Sequence, residues 1–223
     1  MYSTPPRVLA KRVSLASMEV AANRLLDAKQ AVLTRRSIRK FKQEPVPQGT
    51  LEEILSLALK APSAWNSQPW RFVVVRDPSL KMKLRAAAND QSQVTSAPVV
   101  IVLYSDMKDA LERAGEVMHP GIPEAERPAR LESIRASFAS KTNAEREAWG
   151  MGQSYIALGF LMLLARSYGY DTVPMLGFNA AKVKELLGLP ERVAIPALLP
   201  LGLRDEEGRP HHRHNLEQVV RWM

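Results

Sequence analysis

Apolar residues recur at three- and four-residue steps from Ser17 onward. Val20, Ala21, Leu25, Leu26, Val32 and Leu33 share a stripe, which predicts a helix over 17–34. A second helix is predicted over 50–61. There Thr50 precedes Glu53 in the capping-box spelling, and Leu51, Ile54, Leu55 and Ala58 fall on one face. The period then changes: Phe72 to Val75 and Val99 to Leu103 are continuous runs rich in β-branched residues, predicting buried strands over 71–76 and 97–104. Helical spacing returns over 79–88 and 107–117, until three prolines and a glycine interrupt the pattern between His119 and Pro128.

From 145 to 168 the spacing is helical again, and 155–165 is apolar almost all round, as in a helix packed on several sides. Asn179 is placed to cap a short helix ending at Gly188. Residues 193–201 read as a strand in spite of Pro196 and Pro200, and Asn215 with Gln218 spells a last capped turn. Residues 1–16 hold two prolines, three basic residues and no acid, and read as a loose arm, with an organelle transit segment as the alternative. Strands dispersed among more numerous helices predict a mixed α+β sandwich.

Composition narrows the class. A chain of 223 residues that is 46% hydrophobic and 24% charged is expected to fold as one domain with a sizeable core. With no cysteine, disulfides, thiolate metal sites and a cysteine nucleophile are excluded together, so any redox chemistry must come from a bound cofactor. The longest uninterrupted apolar stretch, 156–165, is short of the roughly 20 residues of a membrane span, and a soluble protein with no membrane partner is expected. The net charge of +8 is concentrated at one end: residues 1–49 hold ten Lys and Arg against three Asp and Glu. Aromatic residues are only 6% of the chain, which favours a local anion site over a nucleic-acid groove.

Neither a Walker loop nor a G-x-G-x-x-G run is present, so a nucleotide-like ligand needs another anchor. Arg35, Arg36, Ser37, Arg39 and Lys40, closing on Phe41, offer one. Guanidinium forks bind phosphate oxygens bidentately, and a serine hydroxyl adds a further hydrogen bond. Standing alone, the segment would read as a solvated basic turn. About 26 residues later, 61–70 join two prolines, Asn66, Gln68, Trp65 and Trp70 just before a strand. Amide side chains beside rigid rings suit the edge of a planar heterocycle. The plainer alternatives are core plugs for the two tryptophans and a turn residue for Asn66.

In this order, the two segments resemble the signature of the nitroreductase family of flavoenzymes. Three later stretches match as well: 173–179, Gly188 to Pro190, and 197–202. The similarity covers roughly residues 30 to 220. It implies one domain over 17–223 with a nitroreductase-like, mostly antiparallel sheet flanked by helices, a lid over 105–145, and an intertwined homodimer. FMN would lie in the interface cleft, lined by both chains. Position by position, the resemblance implies that Arg35 and Arg213 contact the FMN phosphate, with Ser37 nearby and Arg36 a further candidate. Arg39 would face the pyrimidine side of the isoalloxazine, where a fixed cation favours reduction. Asn66 and Gln68 would bond the pyrimidine edge. Pro174, Met175, Leu176 and Gly177 would lie against the ring, with backbone N–H groups at N5 and Gly177 permitting close approach.

Two departures stand out. Leu176 replaces an acidic residue common in relatives. His211 stands where relatives often carry lysine, and would make a weaker, pH-dependent phosphate contact. A metal at His211, His212 and His214 is disfavoured for want of spaced carboxylates or cysteines, and a solvated tail is the alternative for His212 and His214. The activity implied is ping-pong hydride transfer from NAD(P)H through FMN to a small electron-poor acceptor, a nitroaromatic or quinone, in the cytoplasm, with no side chain as nucleophile or general acid. Within the same fold, enal, semialdehyde or halogenated substrates are alternatives. From other classes come a flavin-binding protein without turnover and a basic nucleic-acid binder.

Overall fold

The computed structural model describes residues 25–223, so the expected arm over 1–16 and the first part of the predicted 17–34 helix lie outside the described residues. Helix α1 spans Ala28–Thr34, and residues 25–27 just before it are not helical, which interrupts the predicted run. Asp27 is extended there, and its side chain accepts a hydrogen bond from the Gln30 N–H at 2.8 Å, which caps the helix. Helix α2 spans Gln48–Ala58. The box expected at Thr50 is replaced by Pro47 at the N-cap: proline fixes φ near the helical value, and the helix begins before Thr50 is reached.

Strands β1 (Trp70–Val75), β2 (Val99–Ser105), β3 (Asp171–Thr172) and β4 (Ala194–Gly202) form one antiparallel sheet in the order β1-β2-β4-β3. The isolated bridge between Ser37 and Thr172 is parallel. Continuous apolar runs arise because both faces of the sheet are covered. Ile101, Leu103, Leu199 and Leu201 pack with Leu51, Ile54, Leu158 and Leu161 on one face. Val100, Val102 and Leu198 pack with Ile38, Leu84 and Val183 on the other. The second layer is built by α3 (Pro78–Ala87), α4 (Gln93–Ser96) and α8 (Ala180–Leu187). As the spelling predicts, Asn179 caps α8, which stops at Gly188 with φ at 62°.

Central strand β4 tolerates its prolines for local reasons. The Pro200 carbonyl accepts from the Val173 N–H, so its ring nitrogen also faces the side of the two-residue strand β3, where few ladder bonds are lost. Pro196 falls where the β2–β4 register shifts, and its carbonyl accepts from the Tyr155 hydroxyl.

The predicted 107–117 helix is shorter, α5 spanning Met107–Glu112. After the proline-rich break, α6 runs Arg127–Ala139. Helix α7, Asn143–Ser167, opens on a Thr142–Glu145 capping box. It is long and apolar enough to cross a membrane by length and composition, but Ala157, Leu158, Leu161 and Ala165 are buried against the sheet. Its other side exposes Tyr155, Ile156, Phe160 and Leu163. A last capped turn, α9 (Leu216–Val219), forms at Asn215 and Gln218.

Two buried carboxylates stand out. Asp171 on β3 accepts two hydrogen bonds from Arg204 at 2.7 Å each and one from Arg166 at 3.0 Å. Arg166 also donates to Thr34 Oγ1 at 3.1 Å, tying the end of α1 to α7, β3 and the chain after β4. Glu147 on α7 is the other: its Oε1 accepts from the Met107 N–H at 2.7 Å, while Oε2 is buried without a partner. Burial holds this carboxyl above its usual range, against the pull of its hydrogen bond from Met107. A folded-state value above the unfolded one means that stability is lost as pH rises from the ordinary glutamate value through the raised one. Neutral Glu147→Gln escapes that loss. Its melting temperature relative to the wild type is therefore expected to climb as pH rises above the ordinary glutamate value, and a difference that does not vary with pH would rule the shift out.

Candidate functional site

The chain turns from helix to extended at Arg35, whose N–H closes α1 on the Ala31 carbonyl. It then runs beside β3, with Ser37 bridged to Thr172 and the Ile38 N–H donating to the Thr172 carbonyl at 3.3 Å. The C-terminal stretch returns to the same place. His211 Nε2 lies 2.7 Å from the Arg35 carbonyl and 3.1 Å from Arg36 Nη1. Arg35, Arg36, Ser37, Arg39, His211 and Arg213 thereby line one cavity of about 150 Å³. Arg209, not anticipated from the sequence, lines it too; the signal was a second arginine four residues before Arg213.

The electrostatics of this cluster are unfavourable as they stand. Burial lowers the pKa of Arg35, and Arg213 and Arg36 lower it further, with only Asp171 opposing them. Among the described residues, none of Arg35, Arg36, Arg39 and Arg213 forms an ion pair with a carboxylate. Arg36 caps α1 through the Leu33 and Arg35 carbonyls, each at 2.8 Å. Arg39 lies toward an adjoining hollow with Glu206, whose Oε1 accepts from the Arg39 backbone N–H at 2.5 Å. A bound dianion would relieve the crowding of positive charge at Arg35 and Arg213.

The turn after β3 lies along the same sheet edge. Met175 exchanges hydrogen bonds with Leu198, and its side chain is buried in the core. Beyond it, the N–H groups of Leu176 and Gly177 have no protein acceptor among the described residues, and Leu176 is 63% exposed. The Gly177 carbonyl is clamped by Gln91 Nε2 at 2.8 Å and Asn89 Nδ2 at 3.2 Å. Asn89 and Asp90 both hold φ at 53°, a left-handed backbone uncommon outside glycine. The sequence reading missed Asn89 and Gln91, although an amide-rich run between a helix and a strand was visible. A Cβ on Gly177 would make ordinary contacts, 3.5 Å from Gln91, so the protein alone does not require glycine there.

Loop 61–70 is strained at three non-glycine residues, with φ at 54° for Trp65, 55° for Asn66 and 42° for Gln68. Asn66 Nδ2 donates to the Val117 carbonyl at 2.7 Å, and Gln68 Nε2 donates to Asn66 Oδ1 at 3.0 Å. Trp70 is a core plug, whereas Trp65 is half exposed. Register fixes where this loop stands. Trp70 pairs with Ser105 at the end of β2 that meets Ala194, while Thr172 pairs with Leu201 at the opposite end of β4 and on the opposite edge. At standard strand spacing and rise, the two corners are on the order of 25 Å apart. One chain thus gathers Arg35, Arg36, Ser37, Arg39, Pro174 to Gly177, His211 and Arg213 along one edge, and leaves Asn66 and Gln68 at the far corner.

Comparison with known proteins places this geometry. The model of the Nitroreductase family matches residues 32–203. A Thermus thermophilus protein named NADH dehydrogenase is 55% identical over 198 residues, covering 89% of this chain and 97% of that protein. An oxygen-insensitive NADPH nitroreductase of Helicobacter pylori is 29% identical, covering 78% and 85%. A structure from Exiguobacterium sibiricum, solved in complex with FMN, superposes with a TM-score of 0.81 at 27% identity, covering 89% of this chain and 98% of that one.

Proposed function

This chain belongs to the nitroreductase family, and from that premise we propose that it is an NAD(P)H-dependent FMN oxidoreductase acting as a homodimer on a small electron-poor acceptor, a nitroaromatic or quinone. The observation that carries the reading is the arginine cluster that, among the described residues, has no carboxylate partner, on the same sheet edge as a turn whose Leu176 and Gly177 N–H groups have no acceptor among those residues. That donor set fits FMN: guanidinium forks and a hydroxyl for a phosphate, and backbone donors for a ring edge.

In this assignment Arg35 and Arg213 grip the phosphate, with Ser37, Arg36 and His211 beside them. Arg39 faces the pyrimidine side, and Pro174, Met175, Leu176 and Gly177 form the wall against the ring. Gln91 and Asn89 hold that wall still through the Gly177 carbonyl. When bound, FMN supplies a hydride acceptor that carries two electrons from NAD(P)H to the second substrate in separate half-reactions. The protein's part is to bind, orient and place positive charge.

Asn66 and Gln68 reach such a flavin only from a second chain, since their own corner of the sheet is too distant. The exposed apolar side chains Tyr155, Ile156, Phe160 and Leu163 on α7 support that pairing, since neighbouring apolar groups left at a surface are what a second chain would cover. Residues 105–145 would close over the cleft as its lid. A cytoplasmic location fits the same reading, because NAD(P)H is the electron source.

The test is direct. Purified protein is expected to be yellow, and anaerobic NADH or NADPH is expected to bleach it, with colour returning on addition of menadione or a nitroarene. Yellow protein that no reduced nicotinamide bleaches would instead be a flavin-binding protein without turnover. Colourless protein that fails to take up added FMN would overturn the assignment.

A further inference from the structure

A cavity of about 330 Å³ opens between loop 61–70 and the lid segment. Trp65 is one wall: 52% exposed, held in a left-handed backbone, and fixed from behind by stacking on Trp149 and an edge contact with Phe138, each at 5.7 Å. Met118, Ile122 and Ile134 supply apolar surface opposite, and Arg127 braces that side by donating to the carbonyls of Pro120 at 3.2 Å and Ile122 at 3.1 Å. The volume lies at the small end of ligand pockets and suits one ring system rather than a dinucleotide.

The polar groups that line this cavity favour an anion. Its lining includes Arg130 and His119 and no carboxylate. Arg130 meets Glu126 one helical turn away at 3.4 Å, a weak and exposed pairing that leaves guanidinium donors to spare. His119 Nδ1 accepts from the Gly121 N–H at 3.0 Å, so Nε2 remains as a donor.

We propose that this cavity selects the electron acceptor, and that it takes a flat aromatic or quinonoid ring bearing an anionic substituent. The ring lies against Trp65 and the anion faces Arg130 and His119. The inference rests on the oxidoreductase reading above, in which Asn66, which also lines this cavity, meets the flavin held by the partner chain. For a nitroarene the balance is simple. The nitro group gains two electrons and two protons, one proton arriving with the hydride of NAD(P)H and one from solvent. It loses one oxygen as water and becomes nitroso, as NAD(P)H becomes NAD(P)+.

The experiment compares kcat/KM for 4-nitrobenzoate with that for its neutral methyl ester in the wild-type holoenzyme and in Arg130→Gln and Arg130→Glu. Comparing the ratio between proteins cancels the different electron demand of the two compounds. The acid-to-ester ratio is expected to fall about ten-fold in R130Q, chiefly through KM for the acid, and further in R130E. A ratio unchanged in both variants overturns the proposal. Anaerobic bleaching by NAD(P)H is measured on the same samples. If bleaching occurs and the ratio does not move, only the acceptor proposal fails; if there is no bleaching, the oxidoreductase reading fails with it.

Discussion

Replacing Asp171 with alanine is expected to destabilise the fold by about 3 kcal/mol, because it leaves two guanidiniums facing a buried site without their counter-charge. The Asp171 side chain is fully buried, and Arg204 and Arg166 converge on it, their side chains 27% and 17% exposed. That residual contact with solvent puts the effect at the low end of what breaking a buried ion pair costs. Without Asp171 the guanidiniums still cannot escape by losing a proton, since arginine stays charged in proteins whatever its partner. For a chain of this size the change corresponds to a fall in melting temperature of roughly 6–12 °C. Flavin affinity should fall as well, since Thr172 beside Asp171 is the bridge partner of Ser37. Thermal melts of Asp171→Ala and Asp171→Asn, with the asparagine variant less affected, check this; a loss under about 1 kcal/mol would mean that the cluster is effectively solvated.

Arg35→Ala is expected to weaken FMN retention by roughly ten- to hundred-fold, the worth of a charge-assisted hydrogen bond of about 1.5–3 kcal/mol. The same substitution should leave the melting temperature of the flavin-free protein unchanged or raise it. Arg35 is partly desolvated and is pressed by Arg213 and Arg36, so without an anion its charge is a burden on the fold. Opposite signs on affinity and stability distinguish a binding residue from a structural one. Fluorescence titration of apoprotein with FMN, alongside melts with and without flavin, reads both; an unchanged dissociation constant would remove Arg35 from the phosphate site.

How much of this was legible in the sequence depended on the range of the interactions. Phe72 to Val75 and Val99 to Leu103 announced their strands because both faces of the sheet are buried, and Asn179, Gly188, Asn215 and Gln218 marked helix ends through contacts within a few residues. Strand β3 was not legible: its two residues are held by β4 and by arginines five and 33 positions away. The Thr50 spelling misled because Pro47 started the helix first. At the site, the cations at Arg35 and Arg213 were visible, but their meeting through His211 is a contact 176 residues long. The clamp of Gln91 and Asn89 on Gly177, spanning 86 and 88 residues, left no local trace.

The corner-to-corner separation of the arginine cluster and the Asn66 loop bears on stoichiometry. In a twofold pair each chain would be host to one pigment and visitor to the other, so neither pocket would be private to a polypeptide and one inherited substitution would alter both. Dilution that parted the two chains would then extinguish turnover at both pockets together.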